Sequence, residues 1–493
     1  MQFAHPKRWL ILFVILAAEC MDLLDGTVVN VAAPTIHHDL HASSTELQWI
    51  VGGYPLALAV GLLIGGRLGD LFGRRRMFLI GAAGFTAAST LCGLAPTTGV
   101  LIAARLAQGL FGAMMIPQGL GVIREVFPAD ELPKAFGLFG PVMGSAAMVG
   151  PILGGALIAL NLFGSGWRLV FLINLPLGIA AVIGAAVLLP VTRGRHAQSL
   201  DVGGAVLAAL GAIAIVYPLI QGRELGWPAW TYASIGASVV LFALLALHLR
   251  RREAAGRDPL IEPSIFTHRG YTAGALVLML YFGGMVGSML TLTLFLQLGE
   301  GFSAIHAGLT LAPFALGTAI TAPFSAQKMA SIGGRALIQI GGLVSVLGYA
   351  AVALLVASTG HASTWSLIGP LLVIGMGMGL FVVPVFDTII SAVTDVETGS
   401  ASGVLNAIQQ LGGGIGVAVL GTIFFTVLGH EGFAPALTHS IWWQVGLLGA
   451  MLALTPLLPA RAREPEPNPI DGDPESTHAD SEHATRLAET AAA

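Results

Sequence analysis

Three carboxylates lie in one apolar stretch near the beginning of the chain, at Glu19, Asp22 and Asp25. The stretch runs from Trp9 to Pro34 and is long enough to cross a bilayer as a helix, which takes about 20 apolar residues. An ionised Asp at the centre of such a helix costs roughly 2.5–3.5 kcal/mol on insertion scales, so these acids must face protein, water or a cation. Acids three residues apart are neighbours on one helix face. The pattern predicts a protonatable transport site, and a structural ion pair with a distant basic residue is the alternative.

The composition indicates a membrane protein. Of the 493 residues, 55% are hydrophobic and only 10% are charged, whereas soluble domains average about 25% charged residues. Both cysteines, Cys20 and Cys92, fall inside apolar segments, so a disulfide framework is not expected. Lys7 and Arg8 precede the first apolar run as in a secretion signal, but the run is too long for one. We therefore expect an uncleaved first helix.

Hydropathy and loop punctuation predict an all-α polytopic protein with about 14 membrane spans. Of the 23 Lys and Arg residues, Arg168 and Arg223 lie at one side, Arg105 lies within a span, and the remainder lie at the other side. The positive-inside rule makes that other side cytoplasmic and places both termini there. The spans are expected near 9–34, 47–67, 77–95, 99–121, 135–160, 167–189, 201–222, 229–249, 271–298, 307–327, 336–357, 366–390, 402–428 and 438–459.

The loops divide these spans into groups of six, two and six. The grouping predicts an N-terminal six-helix bundle (1–190), two inserted linker helices (191–250) and a C-terminal six-helix bundle (251–459). The remaining residues, 460–493, are polar and acidic with nothing to bury, so a disordered cytoplasmic tail is expected.

A weak internal repeat supports the two-bundle organisation. LGDLFGRRR, between the second and third spans, has a degenerate counterpart, MASIGGR, between the tenth and eleventh. Alignment of Gly73 with Gly334 puts Ser331 where Asp70 stands. Repeated halves are the usual organisation of secondary transporters.

The first of these loops, G-R-L-G-D-L-F-G-R-R-R, joins two membrane helices over a very short distance. Gly66 and Gly73 permit a tight turn and a close helix approach, and Asp70 can pair with Arg74. The stretch resembles the loop signature of the major facilitator superfamily. That resemblance implies that Asp70 and Arg74 latch the two bundles together in the outward-facing state.

The fourth span contains L-I-A-A-R-L-A-Q-G-L-F-G-A, with Arg105 among apolar residues. It resembles the arginine motif of proton-coupled members of that superfamily. At 1.5 Å per residue, Arg105 lies roughly 9 Å, Asp25 roughly 13 Å and Asp22 roughly 18 Å from the outer ends of their helices. Asp25 is therefore predicted to pair with Arg105, and Asp22 to be the more desolvated acid. Together the three residues form the predicted proton-coupling site.

The fifth span ends in a pattern of small residues, G-P-V-M-G-S-A-A-M-V-G-P-I-L-G-G. Glycines four residues apart permit close helix packing, and a proline favours a kink. The G-P-x-x-G-G ending resembles the signature of the superfamily's antiporters, which implies a tight gate between the bundles. The predicted gate consists of Gly144, Gly150, Pro151, Gly154 and Gly155.

Further segments resemble the fourteen-helix drug:proton antiporter branch of the superfamily: LLDGTVVNVAAPTI, WRLVFLINLPLG, FLQLGEGFSAIHAGLTLAP and GSASGVLNAIQQLGGGIGVAVLG. The resemblance implies a major facilitator fold in the bacterial plasma membrane. It also implies proton-coupled efflux of lipophilic drugs or antibiotics by alternating access. The expected partners are protons, a small lipophilic or cationic substrate and membrane lipid, with no nucleic acid and a monomeric chain.

An adaptable substrate cavity needs aromatic, thioether and amide side chains, because Met suits irregular apolar ligands. The candidates are Tyr54, Tyr281, Phe282, Met285, Met289, Phe295, Gln297, Asn406, Gln409 and Gln410. Each of these residues is also typical of ordinary helix packing. Asp387 is expected near the cytoplasmic edge as an interfacial acid rather than as a second proton site.

The residues alone leave the substrate range and one other class of function open. The chain is either a multidrug exporter or a dedicated exporter of one metabolite or antibiotic of its host. A remote alternative is a membrane-embedded hydrolase or metal enzyme that uses Glu19, Asp22 and Asp25, although no His or Cys joins them in a ligand pattern. No G-x-x-x-x-G-K-[ST] loop is present in the sequence, so ATP is not the expected energy source. No cofactor and no metal is expected either.

Overall fold

The structure is a computed structural model, and it describes residues 5–128, 131–191, 200–394 and 397–459. Of residues 133, 136, 137, 139–148, 163 and 330, only the backbone is described. The regular structure within these ranges is helical throughout, with no strand among the described residues. The predicted disordered tail, 460–493, lies outside them.

The first group of helices begins at positions with side-chain caps or at very short turns. Ser43 and Glu46 form a capping box at the start of α2, and the Thr97 hydroxyl accepts from the amide of Val100 at the start of α4. The helices before residue 190 are α1 (Arg8–Leu40), α2 (Ser44–Phe72), α3 (Arg74–Gly93), α4 (Thr98–Val126), α5 (Leu132–Gly137), α6 (Phe139–Leu160), α7 (Leu169–Leu172) and α8 (Asn174–Leu188).

The inserted pair and the last group follow. Asp201 caps α9 through the amide of Gly204. The expected tenth span is divided at Leu311, where Pro313 lacks the amide hydrogen that a continuous helix would need. The helices are α9 (Val202–Gln221), α10 (Ala229–Ala254), α11 (Arg269–Leu294, extended by a π-helical turn at Phe295–Gly299), α12 (Ala304–Thr310), α13 (Ala312–Ile332), α14 (Gly334–Thr359), α15 (Thr364–Ile390), α16 (Thr398–Glu431) and α17 (Phe433–Leu454).

Many of these helices have the length and composition of membrane spans. Within the described ranges, 11 helical segments are long and apolar enough to cross a bilayer. Three further helices, α1, α3 and α6, are not among them. The α1 helix contains the three acids, α3 starts with Arg74–Arg76, and the side chains of α6 are described only over Val149–Leu160, which is too short for a span by itself. The chain is therefore a multi-pass helical membrane protein.

The helices pack in two groups joined by a seam. In the first, α1 packs on α6 and α8, and α4 packs on α2 and α3; in the second, α15 packs on α13 and α14, and α11 packs on α16 and α17. The seam between the groups is formed chiefly by α2 and α16. The first inserted helix, α9, packs against both of these helices, burying Val216 and Ile220 beside Leu56 and Ala418.

The internal repeat is present in the backbone, but its register differs from the alignment that the sequence suggested. Gly73 (φ 92°) joins α2 to α3, and Gly333 (φ 93°) joins α13 to α14. A left-handed φ favours glycine, so these two glycines are equivalent. Gly333, not Gly334, therefore matches Gly73, and Ala330, not Ser331, takes the place of Asp70.

Candidate functional site

Asp25 and Arg105 form an ion pair between α1 and α4. Neither side chain has any exposed surface, and Arg105 Nη1 donates to Asp25 Oδ2. The Arg105 guanidinium also donates from Nε to the carbonyl of Ile50 at 3.1 Å and from Nη1 to Gln108 Oε1 at 2.8 Å. The pairing predicted from helix depth is confirmed, because both residues lie at a similar level of the bundle.

Neutral amides complete the surroundings of the Asp25 carboxylate. Gln108 Nε2 and Asn174 Nδ2 donate to Asp25 Oδ1 at 2.7 and 3.0 Å. Asn174 Nδ2 lies within hydrogen-bond distance of Ser89 Oγ as well, also at 3.0 Å. Three helices, α1, α4 and α8, therefore meet at one carboxylate, and Ser89 of α3 contacts it through Asn174. Hydrogen bonds and one cation are what a buried charge requires to offset its loss of hydration.

Asp22 lies one turn toward the N-terminal end of α1 and has a different environment. Its carboxylate accepts a hydrogen bond from the hydroxyl of Tyr54 on α2. Gly112 on α4 leaves room for it, since a Cβ there would lie 3.3 Å from Asp22 Oδ1. Asp22 retains 7% of its surface and Asp25 retains none. Both acids are thus buried, and they differ in their partners: Asp25 has a cation and two amides, whereas Asp22 has the Tyr54 hydroxyl. That Asp22 is the more desolvated acid stays a prediction.

Glu19 continues the acidic face of α1. It retains 9% of its surface and lies beside Gly119 of α4, where a Cβ would be 3.5 Å from its Oε1. All three acids thus face α4 rather than the lipid. The α1 helix can carry these acids because Gly112 and Gly119 of α4 leave room for two of them and Arg105 forms an ion pair with the third.

The latch residues Asp70 and Arg74 lie at the turn from α2 to α3. Arg74 Nη2 is 3.1 Å from Asp70 Oδ1, and Arg74 Nε is 3.1 Å from Glu125 Oε1 on α4. Gly121 leaves room for the Arg74 guanidinium, since a Cβ there would lie 1.4 Å from Arg74 Nη1. Gly66 is half-buried, and Gly73 supplies the left-handed turn. These contacts lie within the first helix group, so the role as a latch between bundles stays a prediction.

The gate residues of α6 face two partners. A Cβ at Gly150 would lie 2.0 Å from Thr27 Oγ1, and one at Gly154 would lie 3.2 Å from Val28 Cβ, both on α1. Gly155 and Pro151 face α12: a Cβ at Gly155 would lie 2.6 Å from the carbonyl of Ala304. Of Gly144 only the backbone is described. The small residues of α6 therefore let it lie close to both α1 and α12, and the role as a gate stays a prediction.

The predicted cavity residues differ in their surroundings, and their role as one substrate cavity stays a prediction. Tyr54 contacts Asp22, as described above. Tyr281 stacks on Phe381 at 3.7 Å, and its hydroxyl lies 3.0 Å from Ser345 Oγ. Phe282 and Phe295 are buried, and Gln297 donates to the carbonyl of Val31 at 2.9 Å. The half-buried members are Met285, Met289, Asn406, Gln409 and Gln410.

Several residues of the site were not assigned from sequence. Gln108 is visible in the arginine motif, three residues after Arg105, where a helix brings both side chains to one face. Asn174 and Ser89 carry a weaker signal, an amide and a hydroxyl within apolar spans, which is also typical of helix packing. Only the fold brings them to Asp25.

An ion pair buried among many membrane-spanning helices is characteristic of membrane transport proteins, because intramembrane charges mark ion and substrate pathways. A model of the Major Facilitator Superfamily matches residues 15–417 of this chain. The chain therefore belongs to the Major Facilitator Superfamily, as the motifs predicted.

Curated bacterial proteins are similar to most of its length. The chain is 46% identical to the probable actinorhodin transporter of Streptomyces coelicolor, over 87% of this chain and 75% of that protein. It is 34% identical to the tetracenomycin C resistance and export protein of Streptomyces glaucescens, over 86% and 77% of the two chains. It is 32% identical to the multidrug resistance protein Stp of Mycobacterium tuberculosis, over 82% and 73%. With its many apolar helices, the chain is a multi-pass protein of the bacterial inner membrane.

A solved structure confirms the fold. The crystal structure of an auto-inhibited POT family peptide transporter superposes with a TM-score of 0.70 over 94% of this chain and 99% of that chain. The two chains are 15% identical, so the similarity concerns the fold alone.

Proposed function

We propose that this protein is a proton-coupled exporter of a lipophilic drug or antibiotic that works by alternating access. The observation that carries the proposal is the buried Asp25–Arg105 pair with a second acid, Asp22, one turn away. The names of the relatives support the direction of transport, since they describe export of, or resistance to, actinorhodin, tetracenomycin C and several drugs.

We further propose an architecture of 14 spans with both termini in the cytoplasm. Adding α1, α3 and α6 to the 11 apolar segments gives this number. The domains are then 1–190, 191–250 and 251–459, followed by a cytoplasmic tail at 460–493. Reporter fusions after residue 459 and in the loop at 161–165 test this orientation: a cytoplasmic reporter is active only at the former site, and activity at the latter contradicts it.

In this orientation the structure is closed on the outer side. The described polar contacts across the seam lie in the outer halves of the helices: Gln48 Nε2 donates to the carbonyls of Val417 and Ala418 at 3.3 and 3.2 Å. Gln297 to Val31 and Gly155 against Ala304 are further contacts in that half. The conformation is therefore assigned as inward-facing.

Protonation supplies the switch. A proton from the outside neutralises Asp22 or Asp25 and weakens the interaction of these acids with Arg105. This weakening favours return to the inward-facing state. The proton leaves to the cytoplasm when substrate binds there. One charge moved through 100 mV supplies about 2.3 kcal/mol, and one pH unit supplies about 1.4 kcal/mol. Together they support a gradient of roughly several-hundred-fold for a neutral substrate.

The substrate range is a separate question. Half-buried Met285 and Met289, with the amides of Asn406 and Gln409, provide an adaptable lining. A dedicated exporter of one host antibiotic is the second candidate. It is favoured by the higher identity to the probable actinorhodin transporter, 46%, than to the multidrug protein Stp, 32%. Susceptibility panels of cells with and without the gene distinguish the two.

Efflux in inverted membrane vesicles tests the mechanism. With ethidium as the probe, we expect uptake into inverted vesicles that an imposed proton gradient drives and an uncoupler abolishes. Asp25→Asn and Asp22→Asn should each lower the driven rate about 10-fold or more, because the carboxyl group can no longer exchange a proton. Asp387→Asn is the matched control, since Asp387 is an exposed acid on α15. Undiminished transport by both α1 variants would refute proton coupling at this site.

A further inference from the structure

Tyr54 contacts both Asp22 and Arg105. The side chain is buried, with 3% of its surface exposed, and its hydroxyl donates to Asp22. The face of its ring lies under the Arg105 guanidinium, with Cζ 4.3 Å from the ring centroid. A cation over an aromatic face is worth roughly 0.5–2 kcal/mol, more when water is excluded. Tyr54 thus connects the acid that lacks a cation to the cation that holds the other acid.

The backbone of α2 takes part in the same arrangement. Arg105 Nε donates to the carbonyl of Ile50, one turn before Tyr54 on α2. Gly109 of α4 lies against the Tyr54 carbonyl so closely that a Cβ would be 2.5 Å from it. The outer end of the same helix meets α16 through Gln48. A change at Tyr54 therefore acts on the helix that forms the seam between the two groups.

We propose that Tyr54 is the positioning residue that transmits the protonation state of Asp22 to Arg105 and to α2. With Asp22 ionised, the hydroxyl donates to it and the ring is held flat beneath the guanidinium. With Asp22 protonated, the carboxyl group becomes a donor, the hydroxyl loses its charged acceptor, and the ring is released. This role rests on the proposed proton coupling and assigns the step by which the proton is sensed at the seam.

The ionisable groups around Asp22 leave Tyr54 as its specific contact. On α1 they are Glu19 and Asp25, on α4 Arg105, and on α3 the thiol of Cys92 beside Gln108. The α6 helix, which packs against α1, contains no ionisable residue in its sequence. Among the described side chains, only Tyr54 donates a hydrogen bond to Asp22.

A substrate-free conformational titration tests the proposal. Spin labels at His41→Cys and Glu431→Cys, both exposed at outer helix ends, report the outer opening in the full chain with Cys20→Ser and Cys92→Ala. We expect the distance distribution to change with pH in this background and not in Asp22→Asn. In Tyr54→Phe, which keeps the ring but lacks the hydroxyl, the pH-dependent change in distance should shrink at least two-fold, because protonation of Asp22 no longer alters a hydrogen bond to the ring.

Tyr271→Phe is the matched control, because Tyr271 is also buried, at 0% exposure, and its hydroxyl donates to the carbonyl of Ala401 at 2.8 Å. Its pH-dependent change should equal that of the background. A change of full size in Tyr54→Phe, or an equal loss in Tyr271→Phe, overturns the proposal. Since no substrate is present, loss of ethidium transport with normal pH switching counts against the proposed function and not against the role of Tyr54.

Discussion

At the scale of single residues, Arg105 shows why the site needs this side chain. Its planar guanidinium reaches a carboxylate, an amide and a backbone carbonyl in different directions while its face lies on an aromatic ring. A lysine ammonium is a compact point charge with no planar face, so it cannot make this set of contacts. Arg105 Nη2 has no acceptor among the described residues. The buried cation therefore has three hydrogen-bond acceptors, and both N–H groups of Nη2 remain without one among the described residues.

Gly121 provides a prediction for the latch. In Gly121→Ala, the new methyl group would occupy the position of Arg74 Nη1, 1.4 Å away. The end of a flexible side chain can move, so we expect the guanidinium to leave Asp70 and Glu125 while the helices stay packed. Ion pairs exposed to this degree contribute about 0–1 kcal/mol. Thermal unfolding in detergent should then change little, while proton-driven ethidium transport falls several-fold.

Two glycines make this experiment specific. Gly99 lies on the same helix with nothing within 4 Å of a Cβ, so Gly99→Ala should transport normally. At Gly65 a Cβ would lie 2.0 Å from the backbone oxygen of Ala113, so Gly65→Ala should lower the unfolding temperature. Wild-type transport by Gly121→Ala would show that the position of Arg74 is irrelevant to the cycle.

The residues of the site were predictable where depth or a motif restricted them. Counting residues from the helix ends paired Asp25 with Arg105, because two rigid helices keep their levels. The same count could not tell which neighbours surround each acid, so the Tyr54 hydroxyl that contacts Asp22 was not predicted. Tyr54 was placed among cavity residues because an aromatic side chain in an apolar span carries no mark of its partner. Its partners come from α1 and α4, and only packing brings them together.

At the scale of elements, the crossing of α6 with α12 sets how closely the two helix groups meet at the end that we propose to be the outer one. A Cβ at Gly308 would lie 2.4 Å from the backbone oxygen of Pro151, and one at Gly155 would lie 2.6 Å from that of Ala304. Backbone atoms cannot move aside as a flexible side chain can. The small residues of the antiporter signature therefore have a physical function in this conformation, which is to let two backbones touch.

Gly308→Ala should accordingly prevent full outer closure. Overpacking of this kind costs about 1–3 kcal/mol, which is enough to shift a balanced conformational equilibrium. Spin labels at positions 41 and 431 should report a longer distance than in the parent protein. Gly449→Ala on α17, where nothing lies within 4 Å of a Cβ, is the control. An unchanged distance in Gly308→Ala would mean that this contact does not limit closure.

The elements themselves were largely predictable, since runs of about 20 apolar residues have few other stable forms in a bilayer. The breaks at Leu138 and Leu311 were not predicted, because a hydropathy window averages over them. The repeat register was misplaced by one residue. Two adjacent glycines, Gly333 and Gly334, are equivalent in sequence, and only the backbone shows which of them has the left-handed φ.

At the scale of the whole molecule, the linker after α10 contacts α2, α9 and α16 at the end of the molecule that we propose to be cytoplasmic. Arg67 of α2 donates to the carbonyl of Pro259 at 2.8 Å, and the amide of Leu260 donates to Asp201, the cap of α9, at 3.1 Å. Hydrogen bonds from Gly204, His248 and Leu260 hold the pKa of Asp201 below its usual value in spite of burial. Further along, Ser264 donates to Glu397 at the start of α16. One segment therefore contacts both helices of the seam.

The hydrogen bond from Ser264 of the linker to Glu397 at the start of α16 should make the stability of the fold depend on pH. The Ser264 hydroxyl, followed by the amide and hydroxyl of Thr394, lowers the pKa of Glu397 to about 2. A carboxylate with a lowered folded pKa stabilises the fold above its unfolded pKa, about 4.3 for Glu, and this contribution is lost as the pH falls toward 2. Wild type should therefore unfold at a higher temperature than Glu397→Gln at pH 6, and the difference should narrow steadily below about pH 4. Glu253→Gln, an exposed acid of α10, should match wild type at every pH. A gap between wild type and Glu397→Gln that stays constant from pH 6 to pH 3 would show that the charge of Glu397 does not hold the linker to α16.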